Sequence, residues 1–266
     1  MTTPVHWPSE SIWQAIAPGL PGFSVEVVPE IDSTNSELMR RARNGQQEPL
    51  LLVAERQSAG RGRMGRQWHT ESPQQALTFS LGLMLSPLDW SGLSLAVGLS
   101  LARSLHPDIR LKWPNDLWWQ GQKLAGILIE TAGSGPVHAA RYLVIGVGIN
   151  LQTPAFTGLT MPAVGLAEIR PDLDKAQCLS LLLSPLIQTL NQFEQFGFAQ
   201  FQADFNARDA ISQTAVTLSD GRHGVAQGVN RQGALQVNTA AEVLSVSSAE
   251  ISVRLQVKAP SALHGR

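Results

Sequence analysis

Four short stretches carry the residues that could do chemistry. The first is "GRGRMGR" (60–66), which sets three arginines within six residues on a glycine-rich loop, in a chain whose charged residues make up only 15%. Glycines let backbone N–H groups approach a ligand closely. The guanidinium forks of Arg61, Arg63 and Arg66 suit a carboxylate or a phosphate. The plain alternatives are a solvated turn and an RG-type nucleic-acid segment. A turn does not need three arginines, and an RG segment usually repeats, whereas this one occurs once.

The second stretch is "LKWPND" (111–116). Lysine is rare here, with four (112, 123, 175 and 258) against sixteen arginines. Lys112 therefore needs a reason to sit in an apolar strand. Beside Trp113 at a strand end, it is placed to offer a ligand a compact positive charge. Asn115 and Asp116 offer oxygens to a metal ion, or simply to backbone donors of a turn. The third stretch is "GVGIN" (146–150), where small residues admit close packing and Asn150 supplies a donor and an acceptor. The fourth is "DSTN" (32–35), a helix start whose spare N–H donors suit polar ligand atoms.

The loop matches the dinucleotide fingerprint G-x-G-x-x-G, but that fingerprint needs a strand before it and a helix after it. The strand is there. The following "RQWHTESPQQALTFS" (66–80) is a poor helix that runs into another strand, and no acidic residue marks a strand end about 20 residues further on. A P-loop pattern is absent too. The anion held by this loop is therefore not expected to be a Rossmann-bound pyrophosphate.

The elements that must position these stretches follow from periodicity. "SVEVV" (24–28) reads as a strand. A helix follows it, with Thr34 and Glu37 as a capping box and Gly45 as its stop. "LLLVAE" (50–55) and "ALTFSLGLML" (76–85) read as strands on either side of the loop. A buried helix is expected over 90–105. Three apolar runs, 109–116, 124–131 and 141–150, read as strands inside a covered sheet. A helix from Asp174 to about Phe196 contains Pro185, which should kink or split it. A last helix is expected near 198–209. From about 213, short alternating strands between "SDGR", "NRQG" and "NTAA" have the rhythm of a small β-barrel.

The totals exclude some classes. At 266 residues, a formal charge of −1 and a pI near 6.6, the chain has no global attraction to nucleic acid or anionic membrane. Cys178 is the only cysteine, so no internal disulfide and no C-x-x-C metal spacing exists. The N-terminus has no signal-peptide features, and no run approaches the roughly 18 apolar residues of a membrane span. A cytoplasmic protein is the expectation.

Taken in order, "DSTN", "GRGRMGRQW", "KWPND…KLAGILIE" and "GVGIN" resemble the bacterial biotin–protein ligases (biotin–[acetyl-CoA-carboxylase] ligases), over roughly residues 24–255. The resemblance implies an α+β fold. A class II aminoacyl-tRNA synthetase-like catalytic domain, a mixed sheet flanked by helices, would span 1–212. A small SH3-like β-barrel and tail would span 213–266. It implies an enzyme that joins biotin to ATP, with Mg2+, as biotinyl-5′-AMP, then passes biotin to one lysine of a biotin carboxyl carrier domain of acetyl-CoA carboxylase. Ser33, Thr34, Asn35 and Gln57 would contact biotin. Arg61, Gly62 and Arg63 would close over biotin and the adenylate phosphate, as a lid that is mobile alone and ordered by ligand. Lys112 would touch the biotin carboxylate and the α-phosphate, and with Arg63 would be catalytic. Gly126 and Ile127 would line the biotin pocket. Arg66, Trp68, Asn115, Lys123 and Asn150 would lie at the nucleotide, and Asp116 at its metal ion.

Two departures accompany the resemblance. The family often has another arginine where this chain has Met64, which softens anion binding without removing a role. Some members carry an N-terminal helix-turn-helix. With about 22 residues ahead of the first strand, DNA binding by that route is not expected. A homodimer stays open. The rival readings are a lipoate or octanoate ligase or transferase of the same architecture, and a non-catalytic nucleic-acid-binding module.

Overall fold

The computed structural model describes residues 6–68, 72–133, 140–155, 161–247 and 253–255. After a short helix α1 (Ser9–Ile16), strand β1 (Ser24–Ile31) and strand β2 (Leu50–Gln57) lie parallel, joined across the sheet by helix α2 (Thr34–Arg43). A parallel pair needs such a crossover. Strand β3 (Ala76–Leu85) reverses against β2. Helix α3 (Leu93–Leu105) then leads into a meander of β4 (Arg110–Lys112), β5 (Asp116–Trp119), β6 (Gln122–Ala132) and β7 (Arg141–Asn150), which returns to pair with β3. Among the described residues this makes a seven-stranded mixed sheet in the order β1-β2-β3-β7-β6-β5-β4. Helices α4 (Lys175–Phe196) and α5 (Gln202–Ala207) connect it to a five-stranded antiparallel sheet of β8 (Ala215–Leu218), β9 (His223–Val229), β10 (Leu235–Asn238), β11 (Val243–Val246) and β12 (Val253–Leu255).

Alternation along the strands gives the large sheet two different faces. One face sends Leu77, Phe79 and Leu81 of β3, and Ile145, Val147 and Ile149 of β7, into the main core with the buried faces of α3 and α4. Full burial of such side chains is worth about 1.5–3 kcal/mol each. Gly98 lets α3 come close, since a Cβ there would already touch Leu111 and Ile127 at 3.4 and 3.5 Å. The other face is apolar only at one end, where Leu38, Met39 and Ala42 of α2 cover Leu52, Tyr142 and Val144. Beyond that patch the same face turns to Thr78, Ser80, Gly146, Gly148 and Gly126, a floor too small and too polar to be core.

Several expectations are corrected. The cap of α2 is Ser33, whose Oγ accepts from Ser36 N at 3.4 Å; Thr34 is the first helical residue instead. The run 109–116 is not one strand, because β4 ends at Lys112 and the turn through Pro114 starts β5 at Asp116. Pro185 does not split α4, which runs unbroken over 22 residues behind a capping box of Asp174 and Gln177. The carbonyl the proline leaves unbonded belongs to exposed Leu181, where water can take it. The helix near 198–209 is a 3-10 turn, Phe198–Phe201, followed by the short α5. Part of the 66–80 segment, residues 69–71, lies outside the described residues, as does much of 248–266.

Candidate active site

Cross-strand register assembles the site. Lys112 pairs with Asp116, Asp116 with Gly126, Gly126 with Gly148, and Gly148 with Thr78. Directly opposed residues share a face. One row from β4 to β3 therefore carries a lysine, a carboxylate, two glycines and a hydroxyl. Ile127 alternates to the opposite face and joins the main core, so of the two residues expected to line a pocket from β6, Gly126 alone lies in this row. The backbone of Ile127 still meets the site, since its carbonyl accepts from Asn115 Nδ2 at 2.8 Å.

The glycine–arginine loop covers this row. Ser58 N and Ala59 N donate to Ile31 O and Asp32 O, both at 2.9 Å, and anchor the loop beside the start of α2. Gly62 N donates to Arg66 O at 2.7 Å and Trp68 N to Gly60 O at 2.9 Å, so the loop folds back on itself. Its tip passes through left-handed backbone at Met64 (φ 56°) and Gly65 (φ 71°). The Met64 side chain is exposed, so the departure from arginine there falls on a solvent-facing position. Trp68 then lies on the floor. A Cβ at Gly148 would sit 2.4 Å from its ring, and one at Gly126 3.5 Å from it. The Trp68 Nε1 is buried with no hydrogen-bond partner among the described residues.

The start of α2 closes the other side. Gln57, at the end of β2, accepts through Oε1 from Thr34 N at 2.7 Å and from Thr34 Oγ1 at 3.1 Å. Ser80 Oγ lies 2.7 Å from Thr34 Oγ1 and 2.6 Å from Asn35 Oδ1. Asn35 reaches the sheet because Gly146 has no side chain; a Cβ there would fall 2.1 Å from its Oδ1. Ser33, Thr34, Asn35 and Gln57 are all buried. Thr34 and Gln57 hold each other and Ser80 holds Asn35, so these buried polar side chains are oriented, not solvated.

Cations dominate the electrostatics. Lys112 is 6% exposed, with Nζ 5.3 Å from the centre of the Trp118 ring. Burial chiefly holds its ammonium below the ordinary lysine range; Lys123 and Arg66 push the same way and Asp116 opposes them. Burial and Arg66 likewise pull down the Arg63 guanidinium, again against Asp116. Such a cluster holds more positive than negative charge and gains when an anion arrives. Asp116, expected at a metal, forms a 2.8 Å salt bridge with Lys123 Nζ. Among the described residues no group of three or more His, Cys, Asp or Glu could hold a metal ion. Asn150 Nδ2 donates to Lys123 O at 3.2 Å, which ties the end of β7 to the same strand.

The sequence-based site thus comes together on one face, apart from the Ile127 side chain. Ser80, Trp118 and Glu130 escape notice in the sequence, because only strand register brings them there. Trp113, read as Lys112's aromatic neighbour, points elsewhere: it is fully buried and donates at 3.1 Å to Gly233 O, in the turn between β9 and β10.

Comparison with known proteins agrees with this geometry. The sequence pattern of the Biotin/lipoate A/B protein ligase family matches residues 27–150. The bifunctional ligase/repressor BirA of Escherichia coli is 36% identical over 88% of this chain and 75% of its own length. The biotin–[acetyl-CoA-carboxylase] ligase of Mycobacterium tuberculosis is 33% identical over 90% of this chain and 92% of its own. The biotin protein ligase of Aquifex aeolicus, solved with biotin and ATP, superposes with a TM-score of 0.74 at 28% identity, over 87% of this chain and 99% of that one. Sequence and fold agree: the chain belongs to the biotin protein ligases of the biotin/lipoate A/B protein ligase family.

Proposed function

We propose that this protein activates biotin with ATP to give biotinyl-5′-AMP and transfers the biotinyl group to a lysine of a biotin carboxyl carrier domain. The observation that carries this is buried Lys112 beside Asp116, in a row floored by glycine and covered by the arginine loop with half-buried Arg63. A carboxylate attacking an α-phosphate joins two anions that repel. Holding them in line is worth up to roughly 7–11 kcal/mol in favourable cases, and fixed cations must offset the charge.

In the first step a biotin carboxylate oxygen forms a bond to the α-phosphorus and the bond to pyrophosphate breaks. Lys112 lies between the two anions as a point charge. Arg63 holds phosphate oxygens as a fork, with Arg66 beside it. Asp116 and Lys123 keep each other and Lys112 in register; the paired Asp116 is a counter-charge, and Mg2+ enters with ATP as part of the substrate. Ser33, Thr34, Asn35, Gln57 and Arg61 face the ureido end of biotin, over Gly126. Trp68, Asn115 and Asn150 border the nucleotide. In the second step the neutral amine of the carrier lysine attacks the acyl carbon, AMP leaves, and the amine gives up a proton. The loop excludes water meanwhile.

The large mixed sheet supports a class II synthetase-like catalytic domain over 1–212, and the start of the small sheet at Ala215 supports an SH3-like unit from 213. We place the reaction in the cytoplasm; no helix among the described residues is long and apolar enough to cross a membrane. The test is incubation with biotin, ATP, Mg2+ and a carrier domain, read by mass spectrometry for one added biotinyl group. A parallel ATP–pyrophosphate exchange assay compares biotin with lipoate. Exchange driven by lipoate and not by biotin would replace this reading with the lipoate one.

A further inference from the structure

Glu130 on β6 has no part in the chemistry assigned above, yet it joins the two segments that flank the ligand face. Its Oε2 accepts from Asn35 Nδ2 at 3.0 Å and forms an ion pair with Arg61 of the loop. Asn35 is fixed from the other side. Ser80 Oγ donates to its Oδ1, so its amide nitrogen turns toward Leu128 O, at 3.2 Å, and toward Glu130. The backbone bonds from Gly62 N to Arg66 O and from Trp68 N to Gly60 O close the loop on itself, but they do not tie it to β6. One carboxylate oxygen therefore joins the loop, the start of α2 and the sheet.

We propose that Glu130 is a positioning residue, a latch that docks the glycine–arginine loop through Arg61 and orients Asn35 with the same oxygen. Its kinetic consequence rests on the ligase reading, and its structural consequence does not. The Arg61 and Glu130 side chains are 44% and 27% exposed, so the ion pair is screened and its effect is modest. A modest latch suits a loop that must open in every catalytic cycle.

The structural test is hydrogen exchange over residues 58–68 in the full chain without added ligand. Glu130→Gln keeps the shape and removes the charge. It should speed exchange there roughly two- to five-fold, as should Arg61→Ala. The double variant should add nothing beyond either single change. Salt should speed loop exchange in the native chain and not in Glu130→Gln. The kinetic test is the release of biotinyl-AMP, which should quicken by the same factor in Glu130→Gln. Unchanged loop exchange, additive variants, or faster exchange across the whole chain rather than the loop would overturn the latch. Loop exchange that responds as expected in a protein with no biotin-dependent pyrophosphate exchange would overturn the ligase reading and leave the latch standing.

Discussion

At the scale of single residues, the proposed chemistry turns on Lys112. Burial beside Lys123 and Arg66 makes its charge costly until anions arrive, the condition under which a cation acts on the reacting groups rather than on solvent. Lys112→Ala should cut biotin-dependent ATP–pyrophosphate exchange by about 10²–10³, the scale of losing one preorganised group. Retained turnover would remove the lysine from the mechanism. The sign of its pH dependence is set as well. A lysine held below its ordinary range loses its proton at a lower pH than an exposed one, so kcat/KM should fall on the alkaline side earlier than for an unperturbed lysine. Where Lys112→Arg retains activity, that fall should move to higher pH, because a guanidinium keeps its proton. Arg63→Gly should instead weaken retention of biotinyl-AMP, read as labelling of bystander lysines; unchanged leakage would deny Arg63 its clasping role. Lys112, Arg61 and Arg63 were legible in the sequence because charge is conspicuous in a chain that has little of it. Glu130 and Ser80 were not, since nothing local separates them from any strand glutamate or serine.

At the scale of elements, the glycines of β7 decide what may lie on the sheet. The stretch "GVGIN" was read as room for close packing, and the two occupants differ: Asn35 from α2 at Gly146, and Trp68 from the loop at Gly148. That division was hidden because it depends on the register of β7 against β3 and β6, not on the motif itself. Gly148→Ala would press a methyl group into the Trp68 ring and should displace the loop, raising the KM for ATP more than that for biotin. Gly146→Ala would press on Asn35 and should do the reverse. Overpacking costs about 1–3 kcal/mol, so both variants should fold, and steady-state kinetics with each substrate varied in turn can separate them. Equal effects on the two KM values would show that the floor is not divided as described. Strand and helix existence was largely readable from periodicity. The misses lay where tertiary structure overrides local preference: Pro185 rides inside α4 because a helix packed along its length tolerates one lost bond, and β5 was masked by the apolar residues on either side of the Pro114 turn.

At the scale of the whole molecule, one buried apolar cluster runs from the large sheet through α4 and α5 into the small sheet, taking in Leu111, Phe205, Val216, Ala226 and Leu235. Two ionisable groups sit at its margins, and their costs to stability change with pH in opposite directions. Lys175, at the first turn of α4, lies 5.4 Å from the centre of the Trp7 ring and donates to Pro73 O at 2.9 Å. Burial chiefly lowers its pKa from 10.5 to about 8. Between those values the unfolded chain holds a proton that the folded chain has lost, so stability should rise as pH rises from about 8 toward 10.5. Asp209, where α5 gives way to the small sheet, accepts from Ile211 N at 3.0 Å through one oxygen, while the other is buried without a hydrogen-bond partner among the described residues. Burial raises its pKa from 3.8 to about 6. There the folded chain holds the extra proton, so stability should fall as pH rises from 3.8 to about 6. Within either window one pH unit is worth at most about 1.4 kcal/mol. Asp209→Asn should flatten the acid-side slope and Lys175→Met the alkaline-side one. The two lie in separate contacts, so in the double variant their effects should add. Urea midpoints across pH 4 to 10 measure both slopes. If Lys175→Met keeps the native alkaline slope, the lysine is solvated in solution, and its bond to Pro73 does not hold the segment before β3 against α4.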